Sequence, residues 1–168
     1  MQRDVRGFPT LAALAIATAA TAADTPMQEL SGRYTHRFKN GNVDGDVYYT
    51  TDVVEILPID GDRAMVNLDL NFFNGHSCSV AGIARLAGER LIYREEEPNP
   101  WSDGGCQLEV WRDGGKLRWT EAEGTSCQSH CGARGGLSVG EISYRSRRRI
   151  SASRERQLRE DPDSLGER

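Results

Sequence analysis

Between residues 30 and 149 apolar side chains recur at every second position. In RAMVNLDLNFF, Ala64, Val66, Leu68, Leu70 and Phe72 fall on one side and Arg63, Asn67, Asp69 and Asn71 on the other. A period of two marks strands with one buried face. GRYTHRF repeats it with Tyr34, His36 and Phe38 on a common side. Clusters rich in Gly, Asn and Asp (KNGNVDGD, IDGD, AGER, WSDGG, RDGGK, EAEGT) interrupt the alternation where the chain must turn. The pattern predicts eight strands near 32–38, 47–57, 62–73, 77–86, 90–95, 105–112, 116–121 and 138–146, and no long helix.

CQLEVWRDGGKLRW carries the clearest hairpin. Asp113-Gly114 or Gly114-Gly115 can supply the backbone angles of a two-residue turn. Either choice places Leu108 and Val110 on the face of Leu117 and Trp119, so turn chemistry and hydrophobic pattern agree on register. Eight mostly antiparallel strands with short links predict an all-β domain, a single up-and-down β-barrel of the lipocalin-like kind, with a β-sandwich as the alternative. Closure removes exposed edges. The interior of so small a barrel is expected to be filled or shallow.

The ends differ from this domain. Arg3 and Arg6, the apolar run from Leu11 to Ala17 and the small residues Ala20-Thr21-Ala22 read as a signal peptide over 1–22. The run is shorter than the ~20 residues that span a bilayer, and no transmembrane segment is expected. The product is expected to be periplasmic or secreted. The barrel domain is assigned to 30–149, and 150–168, polar and charged, to a disordered tail. The chain carries a net charge of −4, and loss of 1–22 makes it more acidic by one. That balance argues against nucleic acid, which requires a basic face, and suits a basic protein partner. Arg145, Arg147, Arg148 and Arg149 form one basic cluster, read as a solvated strand end or a contact for an anionic surface or polymer.

Four cysteines, Cys78, Cys106, Cys127 and Cys131, are an even number in an exported domain, where disulfides are the default. In a meander all four gather at one end of the barrel. Cys78–Cys106 with Cys127–Cys131 is the preferred pairing, because the second pair is close in sequence. Crossed pairings, which would tie the 127–131 loop to the barrel, stay open. Zinc is the rival, since His76, His130 and the cysteines offer nitrogen and sulfur ligands at the same rim. Paired thiols would exclude it, so neither metal nor other cofactor is expected.

No nucleophile elbow, zinc-protease helix or P-loop occurs. Glu95, Glu96 and Glu97 precede Pro98-Asn99-Pro100 and read as a solvated loop before they read as glycosidase carboxylates. His36 reads as an inward-facing, satisfied histidine. The remaining candidates for binding are Trp101, His130, Gly132, Arg134 and Gly135. Trp and Arg are the side chains that dominate interface energetics. Gly132, Gly135 and Gly136 suggest a loop whose successive amides cradle an anion beside Arg134, or simply a turn into the last strand.

Together, LSGRY, NGHSCSVAGIAR, CQLEVW…GGKLRW and C…CGARG give a chain that resembles small exported bacterial proteins. Their eight-stranded barrels are similar to those of the periplasmic C-type lysozyme inhibitors. The resemblance covers about residues 30–146. The inhibitors' serine- and lysine-bearing loop has no clear counterpart here, so none of their contact residues carries over. The resemblance implies a non-catalytic barrel that presents a rim loop to a protein or cell-envelope component, such as a basic lysozyme or another cell-wall hydrolase. A lipocalin-like carrier with a small ligand is the alternative, and a hydrolase comes third.

Overall fold

Alternation along the chain becomes eight strands in chain order: β1 (Gly32–Gly41), β2 (Val47–Pro58), β3 (Arg63–Asn71), β4 (Ser77–Ala87), β5 (Arg90–Arg94), β6 (Gln107–Asp113), β7 (Lys116–Glu121) and β8 (Val139–Ser143). The computed structural model describes residues 25–96 and 105–160. The proposed signal peptide over 1–22, Glu97, Trp101 and the last eight residues lie outside that description. Each strand pairs antiparallel with the next, in a single eight-stranded sheet ordered β1 to β8. The sheet is nearly closed into a barrel. The seam is made by the segment after β8, where Arg33 and Arg148 exchange backbone hydrogen bonds of 2.8 Å each. The sandwich alternative falls away because all eight strands share one sheet.

Register follows the hydrophobic pattern. Val110 faces Trp119 and Asp113 faces Lys116, so Gly114-Gly115 forms the β6–β7 turn, with Gly114 at φ +54°. Glycine adopts that left-handed backbone at no steric cost. Tyr34, Val54, Leu68 and Val80 lie side by side across four strands and are all buried. With Leu91, Leu108, Leu117, Trp119 and Ile142 they fill the interior. Trp119 owes its place to Gly140, where a Cβ would lie 2.1 Å from the indole.

Both barrel ends are covered. At one, a short helix α1 (Pro26–Leu30) buries Met27 and Leu30 over the core. Thr25 and Gln28 cap it reciprocally, and Tyr34 donates its hydroxyl to the Leu30 carbonyl at 2.8 Å. At the other end the 122–138 segment closes over the strands, with Cys127 and Leu137 fully buried.

Within the tail expected to be disordered over 150–168, the described residues 150–160 are ordered. Residues Ala152–Glu160 form a helix, α2, that lies on the outer wall of the barrel. Ser151 caps it by accepting the Arg154 amide. Leu158 and Ile150 are buried against Leu57 and Met65, with Ala81 and Ile83 alongside. Glu55, on the same outer face, has no exposure, and its carboxylate accepts from Arg33, Arg154 (2.7 Å) and Asn67 (3.0 Å). Burial alone would push the Glu55 carboxyl up, and is the largest single influence. Donors from Arg154 and Arg33 together outweigh it and hold the group below its usual range. A tail poor in apolar residues folds because the wall beneath it supplies them.

Candidate functional site

The end of the barrel where β4 and β6 begin collects all four cysteines, as the meander predicts, but their pairing is crossed. Cys78 bonds Cys131 and Cys106 bonds Cys127. The preferred pairing is therefore corrected. Its error was to weigh closeness in sequence above the sheet. After β7 the chain returns to the rim, where Cys127 meets Cys106 at the entry to β6. It then runs on across the rim to β4. There Cys131 forms an isolated antiparallel bridge with Cys78, and Gly132 donates to the Ser77 carbonyl at 2.8 Å. Two disulfides thus anchor one loop to two different strands. With the sulfurs oxidised, the thiolates needed by the zinc reading or by a cysteine nucleophile are not available.

His130 sits between the two bridges. Its Nε2 lies 3.3 Å from Glu95 Oε1, and Glu95 Oε2 accepts the Cys106 amide at 2.9 Å. Glu95 is therefore a structural strut at the rim, tying the end of β5 to the start of β6. His76 and Gly132 are in close contact, since a Cβ on Gly132 would lie 2.8 Å from His76 Nδ1.

The glycines serve a purpose the sequence reading did not assign. None of Gly132, Gly135 and Gly136 has a left-handed backbone. Gly135 is small because a Cβ there would come within 2.6 Å of Cys78 Sγ. Its amide donates to the Gly132 carbonyl at 2.8 Å and that of Gly132 is spent on Ser77. Of the two readings offered for this loop, a cradle or a turn, the bonding of Gly132 and Gly135 fits the turn, here pressed onto a disulfide. Arg134, at the tip of that turn, is exposed, and its guanidinium lies over the Phe73 ring at 5.6 Å.

Phe73 introduces a surface the sequence reading missed. β2 pairs with β3 only from Val53 onward, so the β1–β2 hairpin projects beyond the barrel. Phe73 (44% exposed) approaches this hairpin at Gly41, Asn74 accepts the Val43 amide, and Tyr48 accepts the Gly75 amide. Arg134, Phe73, Val43 and Tyr48 therefore form one exposed strip along the cysteine end. Outward apolar positions next to a strand that outruns its neighbour were the available signal. The same projection corrects His36. It shares the inward side with Tyr34, but past the end of the barrel, where it is exposed, stacks on Phe38 and lies 3.6 Å from Asp52. Trp101 belongs to 97–104 and is outside the described residues. Trp111 faces outward beneath Arg90, whereas Trp119 is core.

Two disulfides fit an oxidising compartment. Among the described residues no helix is long and apolar enough to cross a membrane. No family model, curated protein or solved structure matches the chain.

Proposed function

We propose that this protein is an exported, non-catalytic binding barrel whose cysteine rim docks a protein or cell-envelope partner, with a basic lysozyme-type hydrolase as the first candidate. One observation carries the reading. A loop held by two disulfides sets an arginine over an exposed aromatic ring, continuous with Val43 and Tyr48 on the projecting hairpin. Rigid presentation reduces the entropy lost on binding, and arginine with aromatic side chains supplies the contacts that dominate interfaces. The acidic chain would attract a basic enzyme and speed its encounter. The carrier reading has less support, since Tyr34, Leu68, Leu108 and Trp119 occupy the interior.

The test is a lysozyme inhibition assay with the mature protein, together with variants Arg134→Ala and Phe73→Ala. Each substitution is expected to weaken binding about tenfold or more, the effect of losing ~1.4 kcal/mol at an interface anchor. Both side chains are exposed, so melting temperature should stay within about 2 °C of the parent. Full lysozyme activity at saturating protein would remove the lysozyme version. A large loss of stability in Arg134→Ala would make the loop structural only.

A further inference from the structure

At the seam of the barrel a strand of 10 residues, β1, lies beside one of 5, β8, and the outer edge of β1 is only partly used. Arg33 both donates to and accepts from Arg148 across that edge. Backbone groups alternate sides along an antiparallel strand, and β1 keeps an unbroken register with β2 from Gly32 to Gly41. Arg33, Thr35, Arg37, Lys39 and Gly41 therefore all direct N–H and C=O away from β2. The Thr35 amide donates to Ser146 Oγ at 3.1 Å, and that of Gly41 to Asn40 Oδ1 at 2.8 Å. Between them Arg37 and Lys39 are exposed, and among the described residues no strand pairs with them on this side.

What this edge would accept follows from the side chains that flank it. Arg37 and Lys39 stand on the outer face at alternate positions, and the Arg37 guanidinium lies 4.7 Å from the centre of the Tyr49 ring on β2. A second copy of β1 laid antiparallel along the edge would set these basic side chains against each other. Like charges directly opposite destabilise a strand pair, and lysine on an open edge protects it from self-association. Opposite charges in the same places are favourable. The edge thus discriminates against its own copy and favours a strand with carboxylates at every second position. The intervening residues of such a strand fall on the other face, beside the stacked rings of His36 and Phe38, whose centres are 5.2 Å apart. Apolar side chains suit that face.

We propose that β1 binds an extended acidic–apolar segment of a partner protein by strand addition, through the backbone of Arg37 and Lys39 and with the incoming carboxylates against their side chains. In this mode main-chain hydrogen bonds supply the attachment and alternate side chains the selectivity. The edge is separate from the contacts proposed for the rim, since it uses neither Arg134 nor Phe73.

The probe is a synthetic peptide of alternating glutamate and valine, blocked at both ends, titrated into the protein and followed by calorimetry and hydrogen exchange. A peptide of the same composition with its glutamates and valines in separate blocks runs in parallel, as does one of alternating lysine and valine. Saturable binding of the Glu–Val peptide is expected, with slowed exchange at the Arg37 and Lys39 amides. Lys39→Pro deletes one edge donor and should weaken binding about tenfold or more. Proline is accepted on the outer edge of a strand, so this variant should melt close to the parent. Arg37→Glu/Lys39→Glu keeps the backbone and should reverse the preference, losing the Glu–Val peptide and gaining the Lys–Val one. The proposal is overturned if the Glu–Val peptide does not bind, or if the block peptide binds equally well. Parental affinity in Lys39→Pro, or an unchanged preference in the double variant, would also overturn it. So would protection of the two amides that rises with protein concentration in the absence of peptide, which would give the edge to a second copy.

Discussion

Glu55 shows how much a single side chain can organise. Its carboxylate joins β1, β2, β3 and α2 through Arg33, Asn67 and Arg154. Glu55→Gln keeps the shape and removes the charge, leaving two arginines partly buried without compensation. A loss of about 2–4 kcal/mol at neutral pH is expected from chemical denaturation. The pH dependence has a definite sign. A carboxyl held below its usual range stabilises the fold above its unfolded pKa of about 4.3. That contribution fades as pH falls below 4.3 and through the folded value. The denaturation midpoint of the parent should fall across this acid range, and Glu55→Gln should lack that part of the fall. Gly135 and Gly136 provide a second residue-scale contrast. Gly135→Ala puts a methyl against the Cys78–Cys131 bridge and should lower stability by about 1–3 kcal/mol. Gly136→Ala meets open space and should be within about 0.5 kcal/mol of the parent by thermal melting.

Among the elements, α2 is the one whose existence depends most on what it touches. It has one buried residue, Leu158, and one buried charge contact through Arg154. An isolated helix of nine residues is not stable in water, so the barrel wall must supply the difference. Leu158→Ala is expected to cost about 2–4 kcal/mol if the helix stays docked. Hydrogen exchange should then show the 152–160 amides losing protection ahead of the strands, because the helix opens as a unit of its own. Strands, by contrast, were legible. Alternation placed all eight within a few residues, because each half-buried strand repeats its own burial in its sequence. The run VVEILP in β2 carried the missing clue to α2. Val53 to Leu57 are buried without a break, on both faces of the strand. A strand of an antiparallel sheet that is buried on both faces implies a cover on each side.

For the molecule as a whole, the disulfides decide how the last third of the chain is attached. In the loop-entropy description, bridging 53 residues contributes roughly 4 kcal/mol and 21 residues roughly 3.4 kcal/mol. Removing Cys78–Cys131 as a serine pair should therefore lower the melting temperature more than removing Cys106–Cys127. A non-reducing peptide map should recover those two linkages, and the pairs Cys78–Cys106 and Cys127–Cys131 would contradict the fold.

What the chain determined by itself was local and periodic. Side-chain alternation, turn glycines and the even number of cysteines settled strand number, strand order and the common position of the cysteines at one rim. Those properties are written in residues close to one another in sequence. Tertiary structure alone decided which cysteine meets which, that His36 lies beyond the barrel's end, and that Gly132 and Gly135 are small for the sake of a neighbour. It also decided that 152–160 folds. Each of these depends on the approach of segments distant in sequence, and on how far one strand outruns the next. Periodicity within a strand carries no information about either.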